Sequence, residues 1–308
     1  MGETKTVSCF LFLFLFVFLL FYGVNSVNAL VINSDGTVDS PKYVNQNGDV
    51  YVVTADVGSL TVNRDNIIVD GDWHKLDAGA DSAVRMINVQ NVTLKNFIIT
   101  RGAQCPLQVG IVLQYSSNCT ISGNTISRTE HVNPKFWSTS GICISGGGSH
   151  TISENNITNN CVGILLGSSV SPNTVVENSI TNCSTGISIT GSSSNLIYGN
   201  NFVHNSKDIF DMGTSYPDVT SSSINIWDNG ITGNYWSNYM GQDINGDNVG
   251  DSPHTIFENN QDNYPLMTPI DIEVIPEFPS LVILPLFLTT TLLLTICRKR
   301  LKKLKIIF

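Results

Sequence analysis

Near the end of the chain, Asp243-x-Asn245-x-Asp247-x-Val249-x-Asp251 puts oxygen-bearing side chains at positions 1, 3, 5 and 9. Position 7 can offer the Val249 carbonyl. Hard cations such as calcium take six to eight oxygens, and alternate residues of a tight loop deliver them. The segment departs from an EF-type loop at two places. Asn248 stands where a turn glycine is usual, and His254 stands where a bidentate glutamate would close the site. It reads as a structural calcium clip, or as an acidic surface turn shaped by Gly246 and Gly250.

Other chemistry is sparse. Between Met86 and Lys207 there is no aspartate, and the only carboxylates are Glu130, Glu154 and Glu177. A glycosidase needs two carboxyl groups about 5–9.5 Å apart across the bond. Glu154 and Glu177 are expected to stack on adjacent coils, but on an outward position. Copper calls for converging imidazole, thioether or thiolate ligands. The histidines (74, 131, 150, 204 and 254) and the methionines after residue 80 (86, 212, 240 and 267) are scattered. Phe136 and Trp137 are the best candidates for stacking on a sugar ring, whereas Trp227 and Trp236 read as buried cap residues.

These residues must be positioned by a repeat. Gly110-Ile111, Gly141-Ile142, Gly163-Ile164 and Gly186-Ile187 recur, each followed by a phrase near Thr-Ile-x-x-Asn-x-Ile. Asn124, Asn155, Asn178 and Asn200 hold one place in that phrase, 31, 23 and 22 residues apart. Short alternating strands at a period near 22, with no helical stripe between them, describe one coil of a parallel solenoid. The asparagines read as a structural ladder. An inward amide at a corner can bond turn backbone and the amide above, and leaving it unmatched costs about 1–3 kcal/mol. The two long spacings put surplus residues into loops, at 101–108 and 127–140, on one side of the same coils. Insertions in solenoids often form the binding face.

The two ends differ from the middle. Val7 to Val24 is almost wholly apolar and precedes Val27-Asn28-Ala29, which reads as a secretory signal cut after residue 29, or as an uncleaved anchor. Leu281 to Cys297 is 17 uncharged residues, followed by Arg298, Lys299, Arg300, Lys302, Lys303 and Lys305. That length spans a bilayer, and the basic tail stays cytoplasmic. Residues 30–280 then face outside and hold 9 of the 16 Lys+Arg but 24 of the 25 Asp+Glu. Their net charge of −15 excludes nucleic acid as a partner, because phosphate binding needs cationic side chains. The expected order is a signal (1–29), a cap (30–62), coils (63–222), a capping segment with the Asp-rich loop (223–267), a linker (268–280), a span (281–297) and a tail (298–308). Cys161 and Cys183, at nearly equivalent places on adjacent coils, are candidates for a disulfide or for stacked thiols.

Three stretches carry a family resemblance. They are Val50-Tyr51-Val52-Val53-Thr54 with Arg64 to Gly71, the coil phrase, and Trp227-Asp228-Asn229-Gly230 with Gly233 to Tyr239 and Asn263 to Met267. Over about residues 45–267 the chain resembles the NosD family of right-handed parallel β-helices, named for a periplasmic accessory protein of copper loading. Pro276-Glu277-Phe278 before the apolar run resembles the sorting signal of archaeal surface proteins, whose anchor helix is exchanged for a lipid. The resemblance implies an all-β, right-handed parallel β-helix of about seven coils, extracytoplasmic and anchored at the C-terminus. Three functions follow as expectations: a non-enzymatic module meeting surface glycans or surface proteins, a copper-handling accessory protein, or a carbohydrate-active enzyme.

Overall fold

A computed structural model describes residues 29–77, 82–101, 109–128, 140–167, 172–211 and 223–272. The expected signal, the membrane span with its basic tail, the Pro-Glu-Phe motif, Phe136, Trp137 and most of both insertions lie outside the described residues. No helix among the described residues is long and apolar enough to cross a membrane.

The chain winds through three stacked sheets of eight, eight and seven strands. Within a sheet, each strand pairs in parallel with the strand one coil away, apart from one antiparallel pair in the N-terminal cap. This is a parallel β-helix. The first face runs from Ala29–Ile32 to Lys207–Asp211. The second ends at Leu196–Tyr198, and the third runs from Lys75–Leu76 to Tyr235–Trp236.

Register stacks like on like. Ile111, Ile142, Ile164, Ile187 and Ile209 form one inward row of the first face. Leu94, Ile121, Ile152, Val175 and Ile197 form that of the second. Ile99, Ile126, Ile157, Ile180 and Phe202 form that of the third, and Trp236 crowns it. The core is these rows, nearly all wholly buried. Burying one such side chain contributes about 1.5–3 kcal/mol.

The solenoid starts earlier and ends later than the sequence boundaries place it. Leu30 and Ile32, assigned to the cap, are already rungs of the first face, paired with Leu60 and Val62. The N-terminal cover is the antiparallel pair Val44–Asn47 and Val50–Val53. At the other end, Ile226 bridges Leu196, and Tyr235–Trp236 pairs with Asn201 and Phe202. The capping segment therefore adds a further, irregular coil.

Glycine is required in the Gly-Ile column by close approach. A Cβ on Gly163 would lie 2.5 Å from the Gly186 carbonyl oxygen and 2.8 Å from Ile180 Cγ2. Gly163→Ala is expected to destabilise the fold by about 1–3 kcal/mol, the usual cost of overpacking. Urea unfolding followed by circular dichroism would read this as a lower midpoint; an unchanged midpoint would contradict the close packing.

Candidate functional site

Each coil turns three corners, and at many of them a residue with positive φ precedes an inward polar one. On one corner line Asn96, Gly123, Glu154, Glu177 and Gly199 have φ between 54° and 64°. Non-glycine residues adopt this region seldom, Asn most readily. The next residue points in. Asn124 donates from its backbone N–H and its Nδ2 to Asn155 Oδ1, both at 3.0 Å. Asn155 does the same to Asn178, Asn178 to Asn200, and Asn200 to Asn234. Each Nδ2 also donates to carbonyls of its own coil and of the one below, as Asn178 does to Val176 and Ile152.

The relay ends on Asp262, which is fully buried. Its Oδ2 accepts from Asn234 N–H at 2.7 Å and Trp236 Nε1 at 2.9 Å, and its Oδ1 from Tyr264 N–H at 3.0 Å. Every rung donates in one direction, so the last member must be an acceptor on all sides, and a carboxylate is. Burial raises the Asp262 pKa, against the hydrogen bonds that lower it. Gly233 is needed here, since any Cβ would strike this carboxylate.

A second ladder was not read from the sequence. His150 donates its backbone N–H to Asn173 Oδ1, Asn173 to Asn195, Asn195 to Asn225 and Asn225 to Asn260, each at 3.0 Å. Trp227 Nε1 closes it on Asn260 Oδ1 at 2.8 Å. Its signal was present as Asn173 and Asn195, each five residues before a member of the first ladder. His150 breaks the period. Its Nδ1 accepts from the Cys119 N–H at 3.2 Å, the place an amide oxygen takes elsewhere.

The Asp-rich loop is closed by its own backbone. Asp243 accepts from the N–H groups of Gly246, Asp247 and Asn248. Asn245 accepts from Asp247, Asp247 from Val249, and Asp251 from Ile244. The carboxylates are turned to these amides, and no group of three or more His, Cys, Asp or Glu converges to hold a metal among the described residues. These bonds shape the turn, and the calcium clip expected from the spacing finds no support among the described residues.

Cys161 and Cys183 form no disulfide. The register explains it. Thr185 N–H reaches the Cys161 carbonyl and Ser184 N–H the Asn160 carbonyl, so Cys161 lies one residue out of step with Cys183. Asn205 Oδ1 instead caps the Cys183 N–H at 2.9 Å. Burial pushes the Cys183 thiol up to about 12 and also raises those of Cys119 and Cys143.

Glu154 and Glu177 are exposed, on neighbouring rungs of one corner, and line a cavity of about 210 Å³ with Ile270, Asp271 and Ile272. The chain returns along this corner after the cap. Ile270 exchanges hydrogen bonds of 2.7 and 2.8 Å with the Asn201 side chain. The stacked carboxylates thus share their corner with the chain's own strap.

The two insertions leave from a different corner, between the third and first faces. Residues Ile98–Arg101 and Thr125–Arg128 precede them, and Arg101 pairs in register with Arg128. They therefore spring from the same corner of adjacent coils.

The profile of the family described as periplasmic copper-binding protein (NosD) matches residues 25–241. The chain belongs to the NosD family. No curated protein matches it. Among the described residues of this NosD member, no group of three or more His, Cys, Asp or Glu comes together that could hold copper, the metal in that description. Met86 is core, His150 is a ladder rung, and His254 is stacked on Trp236 at 4.8 Å. His74 sits beside Asp56, and the shifted thiols are held protonated by burial, which disfavours them as ligands.

Burial lowers the pKa of His150 and of His254. Both stay neutral in the native state while the unfolded chain takes up protons near pH 6.5. Stability is then full above that pH and is lost as pH falls below it. The thermal midpoint is expected to be flat from pH 8 to 7 and to fall from about 6.5 to 5. His150→Asn, which restores an amide to the ladder, is expected to make that fall shallower and raise the midpoint. An equally steep fall in the variant would contradict the assignment.

Proposed function

We propose that this NosD-family β-helix is exported, held at the cell surface by its C-terminus, and works by binding surface glycans or neighbouring surface proteins rather than by catalysis. The observation that supports this reading is the shared origin of the two insertions. With Arg101 and Arg128 in register, both loops rise from one corner of adjacent coils, where a solenoid can present a continuous contact surface. The net charge of −15 on residues 30–280 suits an outer surface and neutral partners better than anionic ones. A catalytic reading would rest on Glu154 and Glu177. These stand side by side on one corner, whereas glycoside cleavage needs two carboxyls flanking the bond.

A second reading follows from the family description: a copper-binding accessory protein in the periplasm or its equivalent. Its ligands would come from the exposed His204 and Met240 or from His131 and Met212, which lie outside the described residues.

One comparison separates the two. The purified full chain is expected to be retained on a glycan array or on whole cells, and deletion of residues 129–139 is expected to reduce retention at least about tenfold. Equal retention without the loop would move the contact elsewhere. Copper that stays bound against a moderate chelator, with no retention by either form, would favour the second reading.

A further inference from the structure

The Gly-Ile column ends in a residue of another kind. Gly110, Gly141, Gly163 and Gly186 each lie under the backbone of the next coil, and a Cβ on Gly186 would be 2.5 Å from the Asp208 carbonyl oxygen. Asp208 occupies the following rung, on the last strand of the first face. No further first-face strand lies above it among the described residues, so a side chain is tolerated there. The chain places a carboxylate there, and it accepts from Asn205, the residue whose Oδ1 caps the Cys183 N–H.

That carboxylate lines a cavity of about 260 Å³ between the last regular coil and the cap. Asn205, Lys207, Asn238, His254 and Thr255 share the lining. Asn205 Nδ2 donates to Asp208 Oδ1 at 3.0 Å, and this is the side-chain bond that counters the desolvation raising the Asp208 pKa. The Lys207 ammonium is steadied 4.5 Å over the Phe210 ring. The imidazole of His254 lies against Trp236 and is met edge-on by Tyr239 at 5.8 Å.

The lining carries one charged residue of each sign, Asp208 and Lys207, so neither an anion nor a cation is favoured by both. Adjacent hydroxyl groups match both, since each hydroxyl donates one proton and accepts at its lone pairs. The volume is below the roughly 300–1,000 Å³ of drug-sized sites, which limits the occupant to one small ring. The cavity also lies on the corner line from which the two insertions rise. Three rungs separate it from Arg128, about 14 Å at the parallel-strand spacing. A chain-like ligand could touch both.

We propose that this cavity binds a single neutral sugar residue of a surface glycan, with the Asp208 carboxylate accepting from adjacent hydroxyls and Lys207 and the asparagine amides donating to them. The proposal rests on the glycan-binding reading above and gives it a second, defined contact.

The test uses the purified full chain, a panel of neutral methyl hexosides, and an amino-acid zwitterion as control, read by ligand-observed magnetic resonance titration. At least one hexoside is expected to bind saturably. Asp208→Gly, which restores the column's own residue, is expected to remain folded with a slightly lower thermal midpoint, since Asn205 loses its acceptor, and to weaken that binding about tenfold or more, the scale of a lost hydrogen bond to a charged group. Asp208→Asn is expected to keep part of the affinity, because its oxygen still accepts. Unchanged hexoside affinity in Asp208→Gly would overturn the proposal, as would binding of the zwitterion in place of every hexoside. If no hexoside binds while glycan-array retention still depends on residues 129–139, this site is refuted and the insertion-corner reading stands. If both are absent, both are refuted.

Discussion

The structure depends on satisfying inward amides at its corners. A solenoid turns its backbone three times per coil, and each turn leaves N–H and C=O groups facing the core. A buried group without a partner costs about 1–3 kcal/mol. Here the cost is offset by side chains that stack with the coils. Asn124, Asn155, Asn178, Asn200 and Asn234 hand hydrogen bonds in one direction to Asp262, and a second line from His150 runs to Asn260. The two ladders end beside Trp236 and Trp227, whose indole nitrogens donate into the last acceptors. The aromatic cap is therefore part of the polar network as well as an apolar lid, with Trp236 stacked 4.5 Å over Phe202 at the head of the third face.

This arrangement separates scaffold from function. Ladder members are enclosed and mutually committed, so they offer nothing to a ligand. Positions that are free to vary lie where the stack is interrupted or stops. The insertions after Arg101 and Arg128 interrupt one corner, and Asp208 marks where the first face ends. The outward residues at the corners vary too. Asn91, Asn118 and Asn182, each of which opens a glycosylation sequon, have φ near 53° and are exposed. Their residue type is explained by the backbone there, whether or not they carry glycans.

Much of this was legible in the sequence, because a stacked register writes itself as a period. The Gly-Ile and Asn columns are identical residues one coil apart, and counting finds them. The second ladder was harder to see, since its places are filled by Cys119, His150 and asparagines, which share a position but not a type. Asp262 was hidden because the Asp-rich loop lengthens the last spacing. That loop is ambiguous in another way: its alternating oxygens are as well suited to accepting from their own amides as to holding an ion, and spacing does not distinguish the two. Cys161 and Cys183 follow their ladder asparagines by six and five residues. That difference of one is enough to take two side chains out of register. Asp208 escaped notice because the glycine column was followed only to Gly186, and its meaning depends on what lies above it.

The directional ladder is tested most directly by amide hydrogen exchange on Asp262→Ala. The substitution leaves the N–H groups of Asn234 and Tyr264 and the indole N–H of Trp236 without their acceptor. Stability is expected to fall by about 3 kcal/mol or more. Exchange is expected to quicken at Asn200 and Asn234 while the coils around Asn124 stay protected, since a solenoid transmits damage mainly to its neighbours. Unchanged protection at Asn200 and Asn234 would contradict the account, because the relay would then hold without its terminal acceptor.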